Sequence, residues 1–379
     1  MDAVELFCGI GGFRIACDEL GITTIWANDI DGPACSVYKS RFGNGEIVQG
    51  DINNYIEQIP DHDLLTGGFP CQPFSSAGYK RGIKDSRGSL FKSISDILKL
   101  KRPKFFVLEN VKRLLSMQAG SHFATILSEL SSLEYSLEWR VVRACDLGLP
   151  QHRERIFIIG TRLDIAHECP YVKLLTPEEL LAITSNIYKW LTDFSKWKSI
   201  ENHGAKFQFW GLSRHGRFID GSPHSFSEKV DCPKFVSLLQ KSVGSEFDFT
   251  GNTLERIKES TFVDRFFNGV KILYNQSGGA RMGYTVFGTD GIAPTLTATP
   301  SRHYERYKIN GGYRRLTNIE YARIQGFPDD HCSVISVYNQ YQLYGNAVPP
   351  LMAKWAISKA TSDSPTPVTH PKTLQLTLC

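Results

Sequence analysis

One cysteine of this chain stands between prolines, after two glycines, in Gly67-Gly68-Phe69-Pro70-Cys71-Gln72-Pro73. The preceding residues 63–66 predict the end of a buried strand, and a helical pattern begins only near Leu90. Prolines fix φ, and glycines let the backbone turn tightly and approach a ligand. Because open α/β sheets bind ligands at the carboxyl ends of their strands, the position favours chemistry. The sequence therefore predicts that Cys71 is a nucleophile, although a lone cysteine is more commonly a buried structural residue.

A carboxylate and two guanidinium groups occupy comparable positions farther along the chain. Glu109 follows an apolar run, 105–108, that predicts a second buried strand ending at the same sheet edge as Cys71. Partial burial would raise the pKa of Glu109 toward that of a general acid, although a helix-capping glutamate would look the same. Arg153 and Arg155 lead into another strand and are predicted to share one side of it, suited to a phosphate or a carbonyl oxygen. An edge-strand ion-pair ladder is the alternative interpretation.

The first predicted strand leads into a glycine-rich turn, Cys8-Gly9-Ile10-Gly11-Gly12, and then into a helix. This arrangement exposes backbone N–H groups to a ligand. Asp29 ends the second strand at the spacing expected of a residue that binds ribose hydroxyls, and Asp51 follows the third strand near the expected adenine. The glycine spacing differs from Gly-x-Gly-x-x-Gly, which favours a nucleoside cofactor without a pyrophosphate. A nicotinamide-dependent dehydrogenase is a distant alternative.

Composition excludes several classes of protein. The 379 residues are 41% hydrophobic and 22% charged, without an apolar run long enough to span a membrane or a signal-peptide pattern, so we expect a cytoplasmic protein. Nine widely spaced cysteines without a Cys-x-x-Cys pair predict reduced thiols and no metal site. The net charge is +4, and basic residues alternate with aromatic ones in 271–323. That pattern suits a polyanionic partner, although charge alone favours a solvated surface.

The order of strand and helix patterns predicts the fold class. Residues 1–162 alternate between the two, which indicates an α/β fold with a doubly wound, mostly parallel sheet. Residues 163–311 lose this alternation, apart from a helix start at Thr176-Pro177-Glu178-Glu179, and order returns with a predicted helix at 318–325. We expect residues 163–324 to form a smaller, irregular domain. Residues 325–360 are expected to return to the first domain. The Ser-, Thr- and Pro-rich residues 361–379 predict a disordered tail.

Seven segments resemble, in order, the motifs of the cytosine-5 DNA methyltransferase family. One such match would be weak evidence, whereas seven in the expected order are specific. The resemblance covers roughly 1–162 and 291–360. The seven segments are 5–14, 68–72, 109–111, 151–155, 291–297, 315–328 and 344–350.

The resemblance implies a Rossmann-like methyltransferase fold and transfer of a methyl group from S-adenosylmethionine to carbon 5 of a flipped-out cytosine in a short duplex sequence. It implies that Cys71 adds to carbon 6, that Glu109 assists at ring nitrogen 3 and the exocyclic amine, and that Arg155 holds the carbonyl oxygen. Arg153 would hold a nearby phosphate or the loop. The implied cofactor-binding residues are Phe7, Gly9, Gly11, Gly12, Asp29, Ile30, Asp51, Ile52, Pro70, Asn346 and Val348.

The resemblance also implies a double-stranded DNA partner. We expect the charged loop 75–88 to close over the DNA, and residues 271–323 to contact phosphates and read the major groove. The expected DNA-contacting residues are Gln72, Ser75, Lys80, Arg81, Arg87, Thr295, Arg302 and Arg306.

Other expectations concern partners and competing functions. We expect a monomer of a restriction-modification system, with a restriction endonuclease as its functional partner. One alternative is an RNA cytosine-5 methyltransferase that acts on tRNA, and the long segment 163–311 favours DNA over it because reading a duplex needs a dedicated surface. Another is a catalytically inactive DNA-binding regulator. The intact Cys71, Glu109, Arg153 and Arg155 argue against that alternative.

Overall fold

A computed structural model describes residues 1–70, 90–166, 172–183, 190–201, 203–223, 226–275, 285–298 and 305–362. Within these ranges the chain forms one sheet of ten strands and one of five. The strands of the large sheet are β1 (Asp2–Leu6), β2 (Thr23–Asp29), β3 (Ile47–Gln49), β4 (Leu64–Gly68), β5 (Phe105–Val111), β6 (Tyr135–Arg143), β7 (Glu154–Arg162), β8 (Lys198–Ser199), β9 (Trp210–Arg214) and β10 (Arg217–Gly221). Those of the small sheet are β11 (Thr261–Phe267), β12 (Val270–Asn275), β13 (Thr285–Phe287), β14 (Arg306–Ile309) and β15 (Gly312–Arg314).

Helices cover the sheets and connect their strands. In the described part of the chain, none of them is long and apolar enough to cross a membrane. The α-helices are α1 (Gly12–Glu19), α2 (Gly32–Phe42), α3 (Leu90–Lys101), α4 (Ser121–Ser132), α5 (Pro177–Ile183), α6 (Gly251–Lys258), α7 (Asn318–Gln325), α8 (Val337–Asn346) and α9 (Pro350–Thr361).

The first half of the large sheet is parallel, in the order β3-β2-β1-β4-β5. Consecutive side chains of its strands enter two different apolar cores. Leu64 and Val107 belong to the core formed with α1 and α9, whereas Leu65 and Phe106 belong to the core formed with α3 and α4. Since neighbouring side chains of a strand point to opposite faces, helices cover both sides of the sheet. The predicted α/β, doubly wound fold is confirmed.

The second half of the large sheet is antiparallel, so the sheet as a whole is mixed, where the sequence predicted a mostly parallel one. From β5 the order continues β7-β6-β9-β10-β8, and every one of these pairs is antiparallel. Strands β8 to β10 come from 198–221, within the segment that the sequence assigned to a separate domain. The ring of Trp210 is fully buried, and its Nε1 donates a hydrogen bond to Glu138 of β6 at 2.7 Å. This long-range contact attaches the segment to the large sheet.

The small sheet packs against α7 and α8 through a third apolar core, to which Phe287, Tyr307, Tyr321 and Tyr344 contribute. The predicted helix at 318–325 begins at a capping box. The hydroxyl of Thr317 accepts from the backbone N–H of Glu320 at 3.1 Å, and the carboxylate of Glu320 accepts from the backbone N–H of Thr317 at 2.9 Å. These bonds satisfy N–H groups that a helix start leaves free.

Candidate active site

A cavity of about 470 Å³ lies at the carboxyl ends of the parallel strands β1, β4 and β5. Its volume falls within the range of small-molecule sites. Glu109 and Arg155 also line this cavity, so the predicted catalytic and cofactor groups share one space. Eight of the predicted cofactor residues line it, namely Phe7, Gly9, Gly12, Asp29, Ile30, Pro70, Asn346 and Val348.

Three predicted cofactor residues do not line the cavity. Gly11 has a φ of 81°, and a Cβ there would clash with the ring of Phe42, so this glycine is needed for the turn itself. Asp51 uses its carboxylate to accept from the backbone N–H of Asn53 at 3.0 Å. Ile52 is 1% exposed and belongs to an apolar core. Asp51 and Ile52 lie just beyond the third strand, as predicted, but their side chains make contacts within the protein.

The glycine turn and the segment after α8 close the cavity together. A Cβ at Gly12 would clash with the carbonyl oxygen of Val348, so only glycine permits this approach. The carboxylate of Asp29 accepts from the backbone N–H of Gly9 at 2.7 Å, and burial raises its pKa. Ile30, beside it, is 69% exposed although it is apolar. The rim therefore offers a carboxylate and an adjacent apolar surface, which suit a ribose and a purine base.

Glu5 is a cavity residue that the motif analysis missed. It lies within β1 at 1% exposure; its Oε2 accepts from the hydroxyl of Tyr38 at 3.2 Å, and its Oε1 has no hydrogen-bond partner within the described structure. Burial raises its pKa to about 8. A buried carboxyl group that lines a cavity is suited to a cationic ligand group. The available signal was an acidic residue inside an otherwise apolar strand.

Glu109 and Arg155 form the ion pair of the site. Arg155 Nε lies 2.8 Å from Glu109 Oε1, and both side chains are largely buried. Burial raises the pKa of Glu109, while the positive charges of Arg155 and Arg153 oppose that rise. Glu109 is also the register partner of Gly68 at the end of β4. The carboxyl group therefore stands beside the point where the chain leaves β4 toward Cys71.

Cys71 itself lies outside the described residues, as do the predicted DNA contacts Gln72, Ser75, Lys80, Arg81, Arg87 and Arg302. Phe69 and Pro70, directly before Cys71, belong to the described residues. Asn110 Nδ2 donates to the carbonyl oxygen of Phe69 at 2.9 Å, and Pro70 lines the cavity. The residue after Glu109 thus anchors the chain just before Cys71.

Arg153 has a different place from the one expected. Its side chain is 1% exposed and does not reach the cavity. It donates to the carbonyl oxygens of Leu296 at 3.3 Å, Gly345 at 3.1 Å and Ala347 at 2.8 Å. The guanidinium of Arg153 thus joins three chain segments through backbone acceptors, and we interpret it as a positioning group and not as a phosphate ligand.

The two described DNA-contact candidates are also engaged within the protein. Thr295 donates its hydroxyl hydrogen to the carbonyl oxygen of His152, and Arg306 is 4% exposed. Neither side chain presents a free group to a phosphate in this structure. Thr295 lies where residues 293–296 contact residues 151–153. The sequence did not indicate that its hydroxyl bonds to a backbone carbonyl there.

Two buried glutamines, Gln151 and Gln325, connect the same region to α7 and α8, and the sequence suggested no role for either. Gln151 Nε2 donates to Gln325 Oε1 at 2.9 Å, and Gln325 Nε2 donates to the carbonyl oxygen of Tyr344. Both side chains are fully buried, so each amide needs these partners. The start of β7, the end of α7 and the end of α8 are therefore held together behind the cavity.

Comparisons with known proteins agree with this geometry. The family model of C-5 cytosine-specific DNA methylases matches residues 1–362. Type II methyltransferase M1.ScrFI of Lactococcus lactis subsp. cremoris is 33% identical over 91% of this chain and 74% of its own length. Type II methyltransferase M.HhaI of Haemophilus parahaemolyticus is 31% identical over 91% of this chain and 89% of its own length.

A solved structure shares the fold at lower identity. The crystal structure of a DNMT2 mutant of Spodoptera frugiperda aligns with a TM-score of 0.63 over 95% of this chain and 99% of that one. Its sequence identity is 17%, so this likeness concerns the fold alone. The Rossmann-like methyltransferase architecture predicted from the sequence is thereby confirmed.

Proposed function

Because this chain belongs to the C-5 cytosine-specific DNA methylase family, and is thus an S-adenosylmethionine-dependent DNA cytosine-5 methyltransferase of the restriction-modification type, we propose that it acts on a flipped-out cytosine in a specific short duplex sequence through a covalent cysteine adduct. One observation carries this proposal. The Glu109–Arg155 pair lines the same cavity as the cofactor residues, beside the strand end that leads to Cys71.

The reaction needs a nucleophile because carbon 5 of cytosine reacts poorly with an alkylating agent. S-adenosylmethionine supplies a methyl group on a positively charged sulfur. The thiolate of Cys71 would form a bond to carbon 6, which converts the ring to an enamine. Carbon 5 of the enamine can then take the methyl group as the methyl–sulfur bond breaks, with the bonding electrons left on the neutral thioether S-adenosylhomocysteine. Loss of the carbon 5 proton to solvent then breaks the bond to Cys71 and restores the aromatic ring and the thiolate.

Glu109 and Arg155 would stabilise the ring while Cys71 attacks. Glu109 hydrogen-bonds or protonates ring nitrogen 3 and holds the exocyclic amine, so negative charge does not accumulate in the ring. Its burial and the resulting rise of its pKa favour the proton-carrying form that this step requires. Arg155, already bound to Glu109, has further N–H groups to offer to the carbonyl oxygen at carbon 2.

The cavity suits S-adenosylmethionine at both of its ends. Asp29 and the exposed Ile30 would hold the ribose and adenine at the rim. Glu5, with its unpaired oxygen, would face the ammonium or sulfonium of the methionine part. Phe7 and Val348, which also line the cavity, would exclude water from the space between them.

The role of Glu5 predicts a pH-dependent affinity for the cofactor. Below its folded pKa of about 8, Glu5 is mostly protonated, whereas a bound cation favours the carboxylate. S-adenosylmethionine affinity should therefore rise with pH, by up to about tenfold per unit between roughly pH 6 and 7.5. Calorimetric titration of wild type, Glu5→Gln and the exposed control Glu19→Gln measures this. The slope should vanish only in Glu5→Gln, and equal slopes in all three proteins would rule out this role.

We also propose how the remaining parts serve the reaction. The small sheet and its flanking loops, within the predicted recognition segment 163–324, would read the target sequence, while the large sheet carries the chemistry. The protein would act as a monomer in the cytoplasm, and a restriction endonuclease would recognise the same site. The loop 75–88, outside the described residues, would close over the DNA.

Transfer of tritium from labelled S-adenosylmethionine tests the proposed substrate directly. We expect incorporation into plasmid duplex DNA, and bisulfite sequencing of that plasmid should show protected cytosines at one short recurring sequence. Transfer RNA, supplied at the same concentration, should take up no label. Label in tRNA alone would instead establish the RNA methyltransferase alternative, and label in neither would contradict the proposal.

A further inference from the structure

Beside the cavity, the sheet topology creates a basic surface that contains none of the predicted DNA-contacting residues. β5 ends at Val111, β7 begins at Glu154 beside it, β6 ends at Arg143, and β9 begins at Trp210. Because β7 is antiparallel to β5, and β9 to β6, these four termini lie along one edge. That edge is the one at which the cavity opens, since Val111 and Arg155 both line the cavity.

Four cations and one aromatic ring occupy this edge, and we call them the basic edge strip: Lys112, Arg113, Arg143, Lys206 and Phe209. Lys112 directly follows Val111, and its Nζ lies 4.4 Å from the centre of the Phe209 ring. Lys206 Nζ lies 5.5 Å from the same ring. One ring thus makes cation–π contacts with two ammonium groups.

Backbone bonds fix the strip to the catalytic part of the molecule. The N–H of Phe207 donates to the carbonyl oxygen of Leu115 at 3.1 Å, and the N–H of Val141 donates to that of Phe209 at 2.8 Å. A Cβ at Gly120 would clash with the backbone of Ala205, so the two segments are in close contact. The strip is therefore a defined surface, built where residues 205–209 pack along residues 112–120.

The charges of the strip are only partly compensated. Glu154 is bound to Lys112 at 2.9 Å, and Asp146 is bound to Arg143 at 2.7 Å. Arg113 and Lys206 are exposed, and no carboxylate of the described residues lies within ion-pair distance of either. Four cations against these two carboxylates leave a net charge of two positive units, concentrated on Arg113 and Lys206.

We propose that the basic edge strip binds the phosphodiester backbone of the duplex that flanks the flipped cytosine, on the side of the catalytic sheet. This inference rests on the proposed function, and it assigns DNA contacts outside the cysteine loop and the recognition segment 271–323. Three strand spacings, or about 14 Å, separate β5 from β9, which is close to the width of about 12 Å of the major groove. Because the strip lies along the edge at which the cavity opens, its cations can reach phosphates beside the target base and leave the base itself free.

The salt dependence of DNA binding tests the strip. Each lost phosphate contact should reduce the slope of log Kd against log salt concentration by about 0.9. The variant Arg113→Gln/Lys206→Gln should therefore lose about 1.8 in slope and bind duplex oligonucleotides at least about tenfold more weakly at low salt, whatever their sequence. Lys206→Arg should keep the wild-type slope, because it preserves the charge. Fluorescence anisotropy measures the slopes.

A matched control and two further readouts separate this role from a structural one. Lys354→Gln removes an exposed lysine of α9 that pairs with Glu19, and it should leave the slope unchanged. S-adenosylmethionine affinity and the turnover rate at saturating DNA should be those of wild type in the double variant. If the wild type methylates duplex DNA and the double variant keeps the wild-type salt slope, the DNA-binding role of the strip is overturned and the proposed function stands. Methylation of tRNA alone by the wild type would overturn both the proposed function and the DNA assignment.

Discussion

Glu109→Gln is expected to slow methyl transfer by on the order of 10³-fold while S-adenosylmethionine still binds. Glutamine fills the volume of Glu109 and can donate a hydrogen bond to ring nitrogen 3, but it cannot transfer a proton. It also leaves Arg155 without the carboxylate that lies 2.8 Å from its Nε, so the guanidinium loses its orientation toward the ring. Single-turnover transfer of labelled methyl groups, with enzyme in excess over duplex DNA, measures the chemical step.

The chain provides a matched control for this variant. Arg140 and Glu179 form another buried ion pair, at 2.7 Å, that does not line the cavity. Glu179→Gln should lower thermal stability, because it leaves Arg140 buried without its partner charge, and should preserve the rate per folded enzyme molecule. If Glu109→Gln reacted within threefold of the wild-type rate, the general-acid role would be excluded. Equal rate losses in the two variants would show that a buried pair matters only for folding.

Cys71→Ala is expected to abolish methylation, with a loss of at least about 10⁴-fold, because removing a nucleophile eliminates the covalent route. The position of the residues just before Cys71 supports a role of this thiol at the cavity. Pro70 lines the cavity, and Asn110 holds the carbonyl oxygen of Phe69, so the chain leaves β4 beside Glu109. Methylation of duplex DNA under multiple turnover is the measurement.

Cys232→Ala is the appropriate control, since Cys232 is a partly exposed thiol away from the cavity. It should retain wild-type activity, and calorimetry should show normal S-adenosylmethionine binding in both cysteine variants. Residual activity in Cys71→Ala above a hundredth of the wild-type rate would mean that the reaction proceeds without this thiol.

Local sequence patterns predicted those parts of the site that depend on strand ends. Glu109 and Asp29 were identified because each follows or ends an apolar run, and in parallel strands such positions meet at one edge. The glycine turn was recognised from its spacing, and the structure shows why Gly12 is required: Val348 approaches it from more than 300 residues away. Short-range pattern and sheet geometry together thus place these parts of the cavity wall.

The contacts that sequence could not predict are long-range ones between polar groups. Alternation along a strand suggested that Arg153 accompanies Arg155 into the site, whereas Arg153 binds backbone carbonyls of Leu296, Gly345 and Ala347. Those acceptors become neighbours only after the C-terminal segment has packed against β7. The attachment of β8 to β10 to the large sheet is equally non-local, because β9 pairs with β6 and Trp210 bonds to Glu138. No local propensity encodes such partners.

A duplex oligonucleotide with 5-fluorocytosine at the target position provides the most direct test of the covalent account. Fluorine at carbon 5 cannot be lost as a proton is, so the bond between Cys71 and carbon 6 should persist after methyl transfer. Intact-protein mass spectrometry should show one protein–DNA adduct that forms only with S-adenosylmethionine, and peptide mapping should place it on Cys71. An enzyme that methylates the ordinary duplex yet forms no adduct, or forms it at another cysteine, would contradict the mechanism.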